Sequence, residues 1–189
     1  MLSFGTIERQ AKQLLRANKI VSPSVDVRSL ARALGATIKE EASDSDVSGA
    51  LFREEDFILI GVNSSHSETR KRFTIAHELG HLILHDDPVQ IDHHYTAIGH
   101  SSRLRPVAQR SQVSSEARDP REIEANRFAA ALLMPNDFLE KSVRGLKLPL
   151  TGKEIGDLSI EYQVSLQAML FRLINLGFPV DQAGEVEES

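Results

Sequence analysis

The stretch from Arg72 to His85 places His77-Glu78-Leu79-Gly80-His81 inside a segment that is apolar at most of its other positions. Phe73, Ile75, Ala76, Leu79, Leu82, Ile83 and Leu84 leave a helix of this sequence almost no polar face, so it must run through the interior. Two imidazoles and a carboxylate carried into a core are costly unless something satisfies them, and a shared cation does so. Residues four apart lie on one helix face, about 6 Å apart along the axis. His77 and His81 can therefore aim at one point. Glu78 stands where a carboxylate can take a proton from a metal-activated water. The pattern is that of a metal-dependent hydrolase using zinc, with manganese as an alternative.

At 189 residues, 41% apolar and 26% charged, the chain has room for one domain with a real core and a small appendage. It has no cysteine, so any metal must be held by histidine and carboxylate. The formal net charge of -5 gives no global case for nucleic-acid binding. The N-terminus lacks the pattern of a secretory leader, and no segment is apolar over a membrane-spanning length. The expected location is the cytoplasm, with no membrane partner.

Along the chain, Thr6 is read as the cap of a helix reaching about Asn18, and a second helix follows Pro23 and stops at Gly35. Residues 36–40, 49–53 and 57–62 read as three short strands of a small antiparallel sheet. Ser65 and Glu68 resemble a capping box for the motif helix, which should run from near His66 to His85. Arg70, Lys71 and Arg72 in its first turns read as a solvated face. Periodicity then fails from Asp86 to Arg118, a long loop expected to form an active-site rim. Asp119-Pro120 starts a helix that stops at Pro135. Further helices begin at Asn136, Thr151 and Ser165, the last ending at Gly177. The final pair resembles a helix-turn-helix, although Arg172 is the only cation on its second helix. Its plainer reading is a helical pair closing the core.

Two histidines leave a catalytic zinc one protein ligand short. His85 lies about 12 Å along the axis from His77, too far to share one ion on a straight helix. The spacing His-x-x-Gly-x-x-His that would recruit a third histidine is absent, since Leu84 and Asp87 occupy its last two marked positions. His93, His94 and His100 could approach from the loop. Glu124 is favoured by burial, because it shares a helix face with Phe128, Ala131 and Leu132, and a carboxylate there needs a partner. Glu122 is the alternative, suited to a solvated place near the helix start. Tyr95, His94 and His100 are candidates for oxyanion or substrate contacts. The strand at 57–62 or its neighbour could offer an edge to an extended peptide.

The motif helix followed by Glu122-Ile-Glu124-Ala-Asn126-Arg-Phe128-Ala-Ala-Ala-Leu-Leu-Met134-Pro135 resembles the ImmA/IrrE family of metallopeptidases. The resemblance implies a gluzincin-like site with His77, His81 and Glu124 as zinc ligands and Glu78 as general base. It implies an α+β, zincin-like and mostly helical domain with the three-stranded antiparallel sheet packed on the motif helix, plus a C-terminal helical pair. The expected division is a metallopeptidase-like domain over 1–145, the helical pair over 146–179 and a disordered acidic tail over 180–189. The implied function is a regulatory endopeptidase, an antirepressor in a stress response, that cleaves a helix-turn-helix repressor of the Xre type. The alternatives are a non-proteolytic repressor-binding regulator and a DNA-binding protein acting through the C-terminal pair.

Overall fold

Ser67 starts the motif helix: its backbone is extended and its hydroxyl accepts the Arg70 N–H, while Glu68 sits in the first turn at the positive end of the helix dipole. The computed structural model describes residues 1–43, 47–55, 57–86, 89–93 and 119–181, with no account of the side chains of Val47 and residues 89–93. Helix α3 runs Glu68–Leu84 and ends on His85 in an extended conformation. The cap lies two residues beyond the expected Ser65, whose N–H is held by the Asn63 carboxamide at the end of the preceding strand. Arg53 closes the other end, donating to the carbonyls of Leu82 at 2.6 Å and His85 at 3.0 Å. A cation there satisfies carbonyls that the helix leaves open.

Helix α1, Phe4–Ala17, is capped by Ser3 rather than Thr6, because the Ser3 hydroxyl accepts the Thr6 N–H from one turn earlier. Its buried stripe is the expected Ile7, Ala11, Leu14 and Leu15. Helix α2, Val27–Ala33, begins at the Asp26 cap. Gly35, at φ 81°, turns the chain into the sheet through a conformation that suits glycine.

The sheet comprises β1 Ala36–Glu41, β2 Val47–Glu54, β3 Phe57–Asn63 and β4 Val89–His93, in the order β1-β3-β2-β4. It is α+β as expected, but the sheet is mixed rather than antiparallel. The β2–β3 hairpin folds back so that β3 lies beside β1 and runs parallel to it, while β2 is antiparallel to both β3 and β4. Strand β4 comes from the segment expected to be loop, where alternation is too short to register. Strand β3 is interior, with Ile60 and Val62 buried. It therefore has no open edge; the outer strands among the described residues are β1 and β4.

Helix α3 packs on β2 and β3 on one side and on α4, Pro120–Leu133, on the other, with α1 beyond α4. This explains the helix without a polar face: Ile75, Ala76 and Leu79 are fully buried between two layers. The basic cluster is embedded as well. Arg72 is buried and donates to the Gln163 carbonyl, Arg70 reaches Ser48, and Lys71 bridges Glu40 and Glu68.

Helix α5, Asn136–Ser142, follows, then α6, Gly152–Tyr162, and α7, Leu166–Asn175. Thr151 and Glu154 form a reciprocal capping box for α6, and Ser165 caps α7. Leu158, Tyr162, Met169 and Leu173 join the same apolar core as the motif helix. Arg172 is buried, donating to the Met134 carbonyl and, in a two-pronged pair, to Glu8 of α1. Asp181 and Leu150 are joined by a backbone hydrogen bond, so the expected tail is anchored at its start, and residues 182–189 lie outside the described residues. No helix among the described residues is long and apolar enough to cross a membrane.

Candidate metal centre

The i, i+4 spacing on α3 brings the two motif histidines together, their rings edge to face with centroids 4.7 Å apart. His77 and His81 are each 2% exposed, and their Nε2 atoms lie 2.9 Å apart. Across the helix interface, Glu122 in the first turn of α4 places one carboxylate oxygen 3.2 Å from His77 Nε2 and the other 3.2 Å from His81 Nε2. A tetrahedral ion bonded to N and O donors at about 2.0–2.1 Å holds those donors about 3.3 Å from one another. The two imidazole nitrogens and the carboxylate therefore meet at contacts close to that spacing, each histidine facing a different Glu122 oxygen, and their donor chemistry suits a borderline divalent ion. The three residues form one candidate metal-holding group. Burial pushes the Glu122 carboxyl toward its neutral form, but hydrogen bonds and charge from His77 and His81 outweigh it and hold the group well below the usual carboxylate range.

The remaining ring nitrogens are also engaged. His77 Nδ1 lies 2.7 Å from the Asn126 carboxamide oxygen, so a His77 that offers its Nε2 lone pair to an ion has an acceptor in place for the proton it keeps on Nδ1. His81 Nδ1 lies 3.0 Å from His85 Nδ1, and His85 Nε2 lies 3.1 Å from Glu124 Oε2. The other Glu124 oxygen accepts the Leu2 N–H in a short hydrogen bond. Glu124 is pushed up by burial and pulled down further by the Leu2 amide and His85, for a net shift below the usual range.

The structure thus brings together His77, His81 and Glu122, and it places Glu124, favoured on burial, elsewhere. The burial argument itself was sound, since Glu124 is 4% exposed and does have a partner. That partner is His85, not the histidine pair, because residues 122 and 124 point to different sides of α4. The signal for Glu122 was its own helix face: Glu122, Ala125, Asn126 and Ala129 recur at i, i+3, i+4 and i+7. Two small residues on that face mark where another helix comes close, and two polar ones mark what they meet. Gly80 is the counterpart on α3, where an added Cβ would lie 2.9 Å from the Ala125 Cα.

Glu78 is fully buried one position after His77. Gly49 of β2 makes room for it: a Cβ there would sit 2.8 Å from Glu78 Oε1 and 2.3 Å from Thr74 Cγ2. His94, Tyr95 and His100 lie outside the described residues, as do Asp87, Pro88 and the rest of 94–118. The side chain of His93 is likewise not described.

Residues 31–174 match the model of the IrrE N-terminal-like domain, peptidase family M78. The chain is similar to the radiation response metalloprotease IrrE of Deinococcus radiodurans, at 32% identity over 126 residues covering 66% of this chain and 33% of that protein. A transcriptional regulator of Mycobacterium tuberculosis shares the fold, with a TM-score of 0.56 and 18% identity over 89% of this chain and 46% of that one. The chain therefore spans a third to a half of the length of these relatives. With the motif helix, the Glu122 face of α4 and the matched span in agreement, this chain belongs to the IrrE N-terminal-like family of M78 peptidases.

Proposed function

We propose that the protein is a zinc-dependent endopeptidase in which His77, His81 and Glu122 hold the ion and Glu78 is the general base. The observation that carries this reading is the convergence of the two histidine Nε2 atoms, 2.9 Å apart, on the Glu122 carboxylate, which sets one oxygen 3.2 Å from each, beside a fully buried Glu78. A divalent ion bound there supplies Lewis-acid polarisation of the scissile carbonyl and acidifies the attacking water. Glu78 accepts the proton that water loses as its oxygen bonds to the carbonyl carbon. It returns that proton to the amine nitrogen as the C–N bond breaks, so one water is consumed per peptide bond. Asn126 would keep the His77 imidazole turned toward such an ion.

The proposed substrate is a helix-turn-helix repressor of the Xre type in the cytoplasm, cleaved to release transcription. Its support is the family resemblance and the similarity to a relative named as a radiation response metalloprotease. Arg172 gives no support to DNA binding through α6 and α7, because it is buried in the pair with Glu8. The test is to incubate the protein, loaded with zinc or manganese, with the helix-turn-helix protein encoded nearest to it and map fragments by mass spectrometry. One specific cut, lost in Glu78→Gln while the ion stays bound, is expected. Release of the promoter without fragments would replace cleavage by sequestration, and a Glu78→Gln protein that cuts as fast as the parent would sink the mechanism.

A further inference from the structure

We infer that His85 is a positioning residue for the metal centre, holding the His81 imidazole through Nδ1 while Glu124 holds His85 through Nε2. The inference rests on the reading of His77, His81 and Glu122 as ligands and extends that site by two residues.

Proton placement carries the argument. A His81 that offers its Nε2 lone pair to an ion must keep its proton on Nδ1, and the atom facing that proton, 3.0 Å away, is His85 Nδ1. His85 then accepts at Nδ1, which in the neutral ring leaves its own proton on Nε2, 3.1 Å from Glu124 Oε2. Glu124 closes the series by accepting the Leu2 amide on its other oxygen. Each hydrogen is assigned once, and each acceptor is of the right kind.

The side chains of His85 and Glu124 are 8% and 6% exposed, so water competes little for these contacts. The backbone fixes the ring as well: His85 leaves α3 in an extended conformation, and Arg53 grips its carbonyl at 3.0 Å. The two histidine ligands are thus supported differently. His77 rests on a neutral carboxamide, whereas His81 is linked through a second imidazole to a carboxylate, which orients it and makes it a stronger donor to an ion.

The test compares parent, His85→Ala and His85→Asn by competition for Zn2+ against a chromophoric chelator, together with the absorption spectrum of each protein loaded with Co2+. Circular dichroism of the metal-free proteins checks that all three are folded. Asn can offer its carboxamide oxygen to His81 Nδ1–H, so it restores the acceptor without the ring. The expected result is an affinity loss of about 10- to 100-fold in His85→Ala with a shifted cobalt spectrum, and recovery of most of both in His85→Asn. A parent that loads one ion while His85→Ala binds equally well with the parent spectrum overturns this inference and leaves the proposed function standing. Equal losses in the Ala and Asn variants overturn it too, since packing alone would then explain them. A parent that binds neither ion overturns both.

Discussion

Gly80 and Ala125 bring the two site helices into backbone contact: a Cβ built on Gly80 would lie 2.9 Å from the Ala125 Cα and 3.0 Å from its carbonyl oxygen. Neither atom is the end of a flexible side chain, so α4 itself would have to move. In an unconstrained helix Gly→Ala stabilises by about 1 kcal/mol. Here the sign reverses. Gly80→Ala should lose about 1–3 kcal/mol through overpacking, and it should weaken metal binding as Glu122 withdraws from the histidines. Gly156, in α6 with nothing within 4 Å of its added Cβ, is the control, and Gly156→Ala should leave stability unchanged or raised. Thermal melts of the two variants with and without zinc decide the matter.

The two glutamates of α4 should separate on substitution. Glu122→Ala removes the carboxylate that faces both histidines and should abolish stoichiometric zinc binding at micromolar protein. Glu124→Ala removes only support from His85, so a reduced affinity, lowered by about 10- to 100-fold, should remain measurable. Atomic absorption after gel filtration, followed by chelator competition, reads both. Greater retention of zinc in the Glu122 variant than in the Glu124 variant would reverse the assignment.

Gly49 should matter for catalysis more than for metal retention. Its missing side chain leaves space that Glu78 Oε1 and Thr74 Cγ2 occupy, and the bulge where β2 shifts register against β4 lies beside it. Gly49→Ala should displace the Glu78 carboxylate and lower kcat by about 10- to 100-fold, since shifts near 1 Å at a reacting group cost this much. Zinc content should change little. Adding Thr74→Ser deletes the methyl that the new Cβ would strike, and should restore part of the stability lost.

Tyr162 sets an alkaline limit on stability. Burial pushes its phenol up to about 12 from an ordinary value of 10, against the lowering effect of its hydrogen bond with Ser142. A raised folded-state value favours the native form below pH 10, and that contribution is lost as pH rises toward 12. The loss should be roughly 2–3 kcal/mol. Denaturant titrations between pH 9 and 12, by about half-unit steps, should show a smaller decline in Tyr162→Phe than in the parent.

Arg172 should behave as a structural residue. Arg172→Ala leaves Glu8 without its buried partner and the Met134 carbonyl without a donor, so a loss of about 3 kcal/mol is expected. Urea unfolding measures it. Salt-dependent duplex binding by the parent that Arg172→Ala removes without loss of stability would instead revive the DNA-binding reading.

Much of this was legible in the sequence because its signals were local. The pairing of the two histidines, the Asp119, Thr151 and Ser165 caps and the buried stripe of α1 all follow from spacing within one element. The parallel β1–β3 pair and strand β4 did not, since strand order is a choice between distant segments that alternation alone does not make. Glu122 lay between these cases. Its helix was evident, but the choice between residues 122 and 124 depended on which side of α4 meets α3, and the embedded Arg70, Lys71 and Arg72 likewise depended on what α3 packs against.

The pair of Glu8 and Arg172 spans 164 positions of sequence, joining α1 to α7, the first and last helices among the described residues. In a chain made from its N-terminus, α3 and α4 are complete well before the residue that seals α1 against α7 exists. The metal-binding elements must therefore wait, with apolar surface uncovered, for a closure of long sequence separation. Newly made protein should acquire its ion late, after α7 has docked, and the nascent chain is most open to proteases and to aggregation just before that point.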